Sequence, residues 1–451
     1  MPFFGIRIMK KNDTISVIAE DYTNEGLAVT RADGMVLFVP GLIKGEEAEI
    51  GITKLKKNYG YARVVSITRP SVHRVQPVCD VNRLCGGCQL LHMDYEEQKR
   101  FKEDKVRACF RQNADMEADV RPILTSDHLY GYRNKVQVPV QYKDGMTKMG
   151  FYQNHTNTII DYTYCHAQTE LSNQITSFLK GLFIRLHCSK EIRHVLIKHA
   201  HRTGEIMIAL IVRHWPFDRA DELTEAIRKA YPDVRCLLAI RNQREDNVIL
   251  DGKEYVLYGR PYIEEELLGC RFRISARSFF QINPYATEIL YSTALDLAGL
   301  TGKETVVDLY CGTGTIGMLA AGRAKKVYGV EVVSDAVRDA NINAEANGIK
   351  NIEFLNMDAS AGARTFIRSK IKADVVIVDP PRKGCSKDTL DAIVTIAPKR
   401  LVYVSCDPAT LARDVKILME QGYAVETIQP VDMFPNTIHI ETIVLLQKLN
   451  S

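Results

Sequence analysis

The chain lacks any uninterrupted apolar run long enough to cross a bilayer, and its first residues, Met1 to Asp13, lack the apolar core of a secretion signal. These absences predict a cytoplasmic protein with no membrane partner. The sequence also contains no internal repeat, low-complexity tract or long linker. Its 451 residues, 46% hydrophobic and 25% charged, are typical of a globular protein of about two to four domains.

Acidic residues are missing between Gly51 and Cys79, where six cations stand with Tyr59, Tyr61 and His73 interleaved. Cations neutralise phosphates and aromatic faces stack on unpaired bases, so this composition favours RNA or single-stranded nucleic acid. A solvated basic surface is the alternative. The six cations are Lys54, Lys56, Lys57, Arg63, Arg69 and Arg74.

Short β segments separated by turn residues follow one another from about Lys10 to Thr68 and predict a small β-barrel. The segments cover residues 14–18, 35–39, 48–52 and 62–67. The sequence 25–28, then 39–41, then the basic hairpin around Tyr59 resembles a TRAM domain, an OB-like RNA-binding barrel. This resemblance strengthens the RNA-binding interpretation of the basic stretch.

Eleven cysteines in a long chain without a secretion signal do not indicate a disulfide framework, but metal binding, catalysis or burial. Cys79, Cys85 and Cys88 are separated by five and two residues, with glycines between the last two. Such spacing suits a 4Fe–4S cluster, with zinc as the chemical alternative. A fourth ligand is required, and Cys165 is the best remote candidate.

The middle of the chain predicts a helix followed by mixed strands and helices. Residues 94–112 have the pattern of a charged amphipathic helix, and residues 130–274 read as a central α+β region. This region begins with the basic and aromatic run 130–135 and has no catalytic signature of its own. We expect it to shape a substrate channel.

From Thr301 onward strands and helices alternate, which predicts a doubly wound, Rossmann-like α/β sheet. No helix separates the last two strands, so the sheet should end in an antiparallel hairpin. The predicted strands cover residues 305–310, 326–330, 352–355, 373–378, 400–404, 423–428 and 442–446.

A glycine-rich loop follows the first of these strands, in residues 308–317. Glycines there allow close approach of a cofactor to a helix N-terminus, and a dinucleotide is one candidate. Asp308 before the loop and Glu331 at the end of the second strand favour S-adenosylmethionine instead, and Asp358 after the third strand could then meet the adenine. Each acid alone could equally be a helix cap or a surface carboxylate.

The strand 401–404 leads to Cys406, a candidate nucleophile because ligands meet the carboxyl ends of strands in such sheets; simple packing is the alternative. The preceding strand ends in Asp379-Pro380-Pro381, where Arg382 replaces the aromatic residue of some adenine N6-methyltransferases. A thiolate that adds to C6 of a pyrimidine makes C5 nucleophilic, and a base must then remove the C5 proton. Glu441 is the candidate base and His439 its competitor.

These motifs together resemble the RNA uracil-5-methyltransferase family, over nearly the whole chain. The matching motifs are 280–283 (FQIN), the Asp308 loop, 379–382 (DPPR), 405–414 (SCDPATLARD) and 439–442 (HIET). The resemblance implies Cys406 as nucleophile and Glu441 as base, with Asp379 also orienting the uracil. It implies that the cofactor contacts are Gln281, Tyr310, Gly312, Thr315, Glu331, Asp358 and Asp379.

The TRAM-like barrel and the Cys79, Cys85, Cys88 and Cys165 set resemble the branch of the family that acts on 23S ribosomal RNA. We therefore expect a monomeric 23S rRNA uracil-5-methyltransferase that uses S-adenosylmethionine, carries a 4Fe–4S cluster and has no DNA partner. A transfer-RNA enzyme and a non-catalytic RNA-binding assembly factor are the alternatives. A radical enzyme is disfavoured, because the spacing is C-x5-C-x2-C rather than C-x3-C-x2-C.

The expected organisation has four parts. Residues 1–70 form the TRAM-like barrel, and residues 71–93 with 126–274 form the central domain with the cluster. Residues 94–125 form a helical segment that packs on the catalytic domain, and residues 275–451 form the methyltransferase domain itself.

Overall fold

The computed structural model describes residues 9–154, 156–244 and 246–449. Residues 1–8, part of the stretch in which no secretion signal is expected, lie outside the described residues, as do residues 450 and 451. The chain divides into two compact units. One ends at Ala108 and includes Phe434–His439, and the other comprises Cys109–Met433 and the residues from Ile440 onward. The finer division into four parts stays a prediction.

The first unit contains a six-stranded sheet, and the strands predicted from residues 14–18 and 35–39 are confirmed. The strands are β1 Thr14–Ile18, β2 Asp21–Tyr22, β3 Ala28–Ala32, β4 Met35–Val39, β5 Glu47–Leu55 and β6 Tyr59–Arg69. Their order is β1-β5-β6-β4-β3-β2. Among the described residues no ladder joins β1 to β2, so the closed barrel is not confirmed. One face of the sheet buries an apolar core that includes Leu37 and Ile50.

Helix α1 spans Tyr95–Ala114, close to the predicted helix. Its residue Phe101 packs with Ile43, Leu90 and Met93 in a small core of the first unit. The ring of Tyr22 meets that of Phe101 edge-on, with 5.4 Å between the ring centroids. The N-terminal part of α1 is thus anchored by apolar contacts within the first unit. Its last residues, from Cys109, belong to the second unit.

The second unit begins with a seven-stranded mixed sheet, in the order β13-β12-β11-β10-β7-β8-β9. The strands are β7 Lys135–Lys143, β8 Met146–Tyr152, β9 Ile159–Asp161, β10 Ile192–His199, β11 Ile206–Val212, β12 Val234–Arg241 and β13 Lys253–Gly259. The helices α2 Glu170–Arg185 and α3 Ala220–Ala230 pack on it. Every residue of β11 is buried, which explains its continuous apolar sequence. The mixture of strands and helices predicted for this region is confirmed.

A hairpin of β14 Tyr262–Leu267 and β15 Cys270–Ser275 precedes the second seven-stranded sheet. The strands of that sheet are β16 Thr305–Leu309, β17 Lys326–Glu331, β18 Ile352–Asn356, β19 Val375–Val378, β20 Arg400–Ser405, β21 Tyr423–Val431 and β22 Glu441–Lys448. The helices are α4 Pro284–Ala298, α5 Thr315–Ala321, α6 Ser334–Ala346, α7 Ala359–Arg368, α8 Lys387–Ile396 and α9 Pro408–Glu420.

This second sheet has the order β18-β17-β16-β19-β20-β22-β21. The first five strands are parallel, and β22 lies antiparallel between β20 and β21. The predicted doubly wound sheet and its antiparallel end are therefore confirmed. The carboxyl ends of β16, β19 and β20 share one edge, and that edge carries the candidate site.

No helix in the described part of the chain is both long enough and apolar enough to cross a membrane.

Candidate active site at the carboxyl edge of the sheet

Cys406 lies at the turn between β20 and α9 and is half-buried. The hydroxyl of Ser405 accepts a hydrogen bond from the amide of Asp407 at 3.2 Å. The Asp407 carboxylate then caps α9 by accepting from the amide of Ala409 at 2.9 Å. Both neighbours of Cys406 are thus held by the turn, which fixes the position of the thiol at the end of the strand.

Glu441 lies near Cys406 at the end of the β20–β22 ladder. The last pair of this antiparallel ladder is Ser405 with Thr442, Cys406 and Glu441 are the next residue of each chain segment, and the charge of Glu441 acts on the Cys406 thiol. Glu441 is only 4% exposed. Burial raises the pKa of its carboxyl group well above the ordinary value, and the charge of Asp379 raises it further.

Asp379 directly follows β19, and its carboxyl group is enclosed although the residue as a whole is half-buried. Burial raises the pKa of Asp379 to about 7. The charge of Asp379 raises the cost of ionising Glu441, and burial favours the protonated form of both carboxyl groups. The pair can therefore offer one hydrogen-bond donor and one base.

Arg382 supplies the positive charge of this site. Burial, followed by the charge of Glu441, raises the pKa of the Cys406 thiol to about 11, whereas the Arg382 guanidinium lowers it. Arg382 also lowers the pKa of Glu441. The sequence marked Arg382 only as the replacement of an aromatic residue, and its electrostatic role is visible only when β19 and β20 are paired.

The loop that carries Arg382 is hydrogen bonded to the first turns of α9. The hydroxyl of Thr410 donates to the carbonyl of Arg382 at 3.0 Å, and Arg413 Nη2 donates to the carbonyl of Lys383 at 3.0 Å. Gly384 has a φ of +76°, and a Cβ there would lie 2.6 Å from Arg413 Nη2. The helix that follows Cys406 therefore also positions Arg382.

Cys385 is a second thiol near this edge and, like Cys311 in the glycine loop, is buried. Its amide donates to Asp414 Oδ2 at 2.8 Å, and the Tyr403 hydroxyl donates to the same oxygen at 2.7 Å. Burial raises the pKa of the Cys385 thiol to about 12. Cys385 thus belongs to the packing that supports the loop, whereas Cys406 is the more accessible thiol.

Tyr291 of α4 is a member of the site that the sequence did not reveal. It is buried, its hydroxyl is hydrogen bonded to the side chain of Gln281, and it faces the carboxyl groups of Asp379 and Glu441. Burial, then the charge of Asp379, raises its pKa. The available signal was its place in the helix that directly follows the FQIN motif, whose Asn283 caps that helix.

Asp308 at the end of β16 has the character of a ligand-binding group. The residue is buried, and neither carboxylate oxygen has a hydrogen-bond partner of ordinary geometry in the described chain. Burial raises its pKa to about 8, and the nearby amide of Gly317 lowers it only in part. A Cβ on Gly317 would lie 3.0 Å from Asp308 Oδ2. A donor-bearing ligand would relieve this unpaired carboxylate, so the site fits the expected cofactor.

Glu331 is hydrogen bonded to the glycine loop, and its predicted contact with the cofactor stays a prediction. Its Oε2 accepts from the amide of Gly312 at 3.1 Å, and its Oε1 accepts from the amide of Val333 at 2.8 Å. A Cβ on Gly312 would meet nothing within 4 Å, so open space adjoins the loop. Val332, beside Glu331, is 65% exposed and offers an apolar surface there.

The remaining predicted cofactor residues border the same edge. Tyr310 has a φ of +66° and its hydroxyl lies 3.3 Å from Thr389 Oγ1. Thr315 is the first residue of α5. Asp358 caps α7 by accepting from the amide of Ser360 at 2.9 Å, and the Ser360 hydroxyl bond lowers its pKa. The helix-capping alternative for Asp358 is thus realised, which leaves its cofactor role a prediction.

The predicted metal site is not confirmed. Cys79, Cys85 and Cys88, in the first unit, and Cys165, in the second, are all half-buried. Within residues 9–154, 156–244 and 246–449, no group of three or more His, Cys, Asp or Glu side chains is arranged to hold a metal ion. The arrangement of these cysteines thus does not by itself support a cluster.

An exposed aromatic cluster lies on the sheet of the first unit. The rings of Phe38, Tyr59 and Tyr61 are mutual neighbours, with 5.8 Å between the centroids of each pair. Tyr59 and Tyr61 are 38% and 37% exposed. The cluster lies on β4 and β6, and four exposed cations stand on β5, β6 and the turn between them: Lys54, Lys56, Lys57 and Arg63.

The other two cations of the basic stretch are structural, which narrows the predicted nucleic-acid surface. Arg74 forms a two-pronged ion pair with the buried Glu46, with Nε and Nη2 each 2.6 Å from a carboxylate oxygen. Arg69 pairs with Glu47 at 2.7 Å. Charge counting in the sequence cannot separate such paired arginines from free ones.

Comparison with known proteins places this geometry in context. The tRNA (Uracil-5-)-methyltransferase family model matches residues 94–449, and the TRAM domain model matches residues 10–65. A Clostridium tetani protein named as an uncharacterized RNA methyltransferase is 41% identical over 446 residues, covering 97% of each chain. A similarly named protein of Halalkalibacterium halodurans is 42% identical over 451 residues, covering 98% of each.

Among solved structures, the chain is similar to the Pyrococcus abyssi tRNA (uracil-54, C5)-methyltransferase, which was solved in complex with S-adenosyl-L-homocysteine. The TM-score is 0.75 at 25% identity, over 96% of this chain and 100% of the other. The likeness therefore extends over both units.

Proposed function

The chain belongs to the tRNA (Uracil-5-)-methyltransferase family, and on this premise we propose that it methylates C5 of a uridine in RNA with S-adenosylmethionine as methyl donor. The observation that carries the proposal is the proximity of Cys406 and the buried Glu441 at the end of the β20–β22 ladder. A thiol paired with a buried carboxylate is what C5 methylation of uracil requires.

The cofactor would be held along the glycine loop. Asp308 offers its unpaired carboxylate, Gly312 the open space beside the loop, and Glu331 with the exposed Val332 the neighbouring wall. Gln281, Tyr310, Thr315 and Asp358 complete the proposed contacts. Bound there, S-adenosylmethionine supplies an electrophilic methyl group.

Cys406 acts first, as a thiolate that forms a bond to C6 of the uracil. The electron pair of the C5–C6 double bond moves toward C5 and the C4 carbonyl oxygen, so that C5 becomes the nucleophile for the methyl group. Arg382 favours this step because it lowers the pKa of the thiol. A protonated Asp379 can donate a hydrogen bond to the base and orient it.

Glu441 acts last, as the base that takes the proton from C5. The C5–H electron pair then reforms the C5–C6 double bond, the bond between C6 and sulfur breaks, and Cys406 leaves as a thiolate. Burial suits Glu441 for this task, since a raised pKa makes its carboxylate a stronger base. A proton on Asp379 removes the negative charge that opposes ionisation of Glu441.

The RNA substrate is proposed from the TRAM domain and its exposed aromatic and basic surface. Ribosomal 23S RNA is the first candidate, from the resemblance of the N-terminal region. Transfer RNA is the second, because a tRNA (uracil-54, C5)-methyltransferase matches 96% of this chain, including the N-terminal unit. The presence of the N-terminal region is thus a weaker reason for preferring 23S rRNA than the sequence suggests.

The test is to map 5-methyluridine in both 23S rRNA and tRNA from a strain that lacks the gene. We expect one or more specific uridines to lose the modification and to regain it on complementation with the natural gene but not with C406A. Unchanged 5-methyluridine in both RNAs, together with no methyl transfer by the purified protein, would instead support the non-catalytic RNA-binding factor.

A 4Fe–4S cluster, or a zinc ion, on Cys79, Cys85, Cys88 and Cys165 remains a proposal that rests on sequence spacing. An absorption spectrum of anaerobically purified protein, with iron and zinc assays, tests it. A protein that contains neither metal after anaerobic purification would refute it.

A further inference from the structure

A small cleft, partly open to solvent and called the cavity below, lies in the second unit beside the proposed active site. It is bounded by the start of β7, the end of β10 and the β14–β15 hairpin, and by the residues that lead into α4. Of its lining residues, only Gln281 belongs to the contacts proposed above for the cofactor. Its polar lining is Asn134, Lys135, Lys198, His199, Glu265 and Gln281.

Two lysines face each other in the wall of this cavity. Lys198 of β10 pairs in register with Lys135 of β7. The ammonium group of the buried Lys198 donates to the carbonyls of Ser275 at 2.7 Å and Ser278 at 3.0 Å. Lys135 has no acceptor for its ammonium group among the described residues, and burial lowers its pKa. The positive charge of Lys135 is therefore not paired with a negative charge or a hydrogen-bond acceptor in the described residues.

The other lining groups do not neutralise this charge. The carboxylate of Glu265 accepts hydrogen bonds from the amides of His201, Arg202 and Glu266, and burial raises its pKa. Burial lowers the pKa of His199, so its ring is neutral at neutral pH and can donate one hydrogen bond. An enclosed ammonium group with an adjacent imidazole is a suitable environment for an anion.

The cavity is connected to the reaction site through Gln281. This residue lines the cavity, and its side chain is hydrogen bonded to Tyr291, which faces Asp379 and Glu441. A uracil at Cys406 must be extruded from its stack, and its backbone phosphates then remain close to the pocket that holds the base. An anion beside Gln281 is therefore most simply part of the same nucleotide strand.

We propose that this cavity is a subsite for a backbone phosphodiester of the RNA next to the target uridine, with Lys135 as its cationic contact and His199 as a neutral donor. The inference rests on the proposed function for the identity of the RNA. Lys198, which is bound to two carbonyls, holds the β15–α4 connection in place. Phosphate recognition here would orient the strand without reading its sequence.

The test compares RNA binding by the full-length K135Q and K143Q proteins with that of the natural protein, over a range of salt concentrations. Lys143 is the matched control, since it lies on the same strand, is exposed and is distant in register from the cavity. The probe is single-stranded oligouridylate, measured by fluorescence anisotropy. For K135Q we expect binding about threefold to tenfold weaker, with a salt slope shallower by about 0.7. K135R should restore the slope, and K143Q should match the natural protein.

A second measurement needs no substitution. Acetylation of the natural protein, followed by mass spectrometry, should show that bound oligouridylate protects Lys135 several-fold more than Lys143. Equal slopes for K135Q and the natural protein, or no protection of Lys135, would overturn the proposal. The proposal would also be overturned if inorganic phosphate protected Lys135 from acetylation as well as RNA does at the same phosphate concentration. The cavity would then be a site for a free anion.

These measurements do not depend on catalysis. If the protein methylates RNA but K135Q binds oligouridylate as the natural protein does, only the phosphate subsite is refuted. A Lys135 effect in a protein that methylates no RNA would refute the proposed function and leave the phosphate contact standing.

Discussion

The carboxyl edge of the second seven-stranded sheet and the segment 79–88 both carry thiols close to polar groups, yet they differ in what fixes those thiols. At the sheet edge, the β20–β22 ladder and the capped turn before α9 determine where Cys406 stands. In the segment 79–88, short backbone turns such as Cys85 amide to Val81 carbonyl are the local constraint, and no metal-ready group is formed. Strand pairing and a helix cap therefore position Cys406, whereas local turns are the constraint on Cys79, Cys85 and Cys88.

The comparison is tested most severely by C406A. We expect methyl transfer to fall by at least about a thousandfold, because no other accessible thiol lies at the strand ends of this edge in the described chain. Covalent trapping on RNA that contains 5-fluorouridine should disappear as well. The measurements are tritium transfer from labelled S-adenosylmethionine and a gel-shift assay for the adduct.

The matched control is C385A, which removes the buried thiol on the same edge. It should keep both trapping and methylation, at a cost of about 1 kcal/mol in the free energy of unfolding, since the amide of Cys385 still reaches Asp414. Trapping that survives in C406A but vanishes in C385A would reverse the assignment of the nucleophile.

Replacing the buried carboxylate by an amide, in E441Q, is the next largest change. We expect turnover to fall about a hundredfold to ten-thousandfold, while the methylated adduct between Cys406 and RNA accumulates, because C5 keeps its proton. Denaturing gels with labelled RNA and mass spectrometry would detect the adduct. H439N is the control, and a normal turnover of E441Q with a loss of turnover in H439N would make the histidine the base.

The two regions also differ in how far the sequence could predict them. Strands such as β16, β19 and β20 read directly from their apolar runs, and residues at their ends, Asp308, Asp379 and Cys406, were found because parallel strands share one edge. The sequence did not reveal Tyr291 or the electrostatic role of Arg382. Both depend on long-range contacts, namely the packing of a helix on the sheet and the hydrogen bonds that hold a loop. Spacing alone named the cysteine ligands, and spacing does not specify how a loop brings them together.

Removing the positive charge at the edge, in R382Q, should have a smaller and pH-dependent effect. Arg382 lowers the pKa of the Cys406 thiol, which stands at about 11 with Arg382 in place, so its loss raises that pKa further. The thiolate fraction at a given pH then falls, and the profile of the Cys406 alkylation rate against pH shifts to higher pH. K383Q, the exposed neighbour in the same loop, is the control and should not move the profile. An R382Q profile that overlays the natural one would show that the guanidinium does not act on the thiol.

The smallest effect on methyl transfer is expected from substitutions in the segment 79–88. A protein with C79S, C85S and C88S should lose any iron or zinc that the natural protein binds after anaerobic purification, measured by metal analysis. Its turnover with saturating RNA should fall by less than about tenfold, because Cys406, Glu441 and Asp379 are held by strands of the second unit. The single substitution C270S, at a half-buried cysteine outside the predicted set, should leave the metal content unchanged. The triple variant could instead lose turnover as completely as C406A while its circular dichroism spectrum shows that it is folded. The segment 79–88 would then be part of the catalytic machinery, and the contrast drawn between the two regions would be wrong.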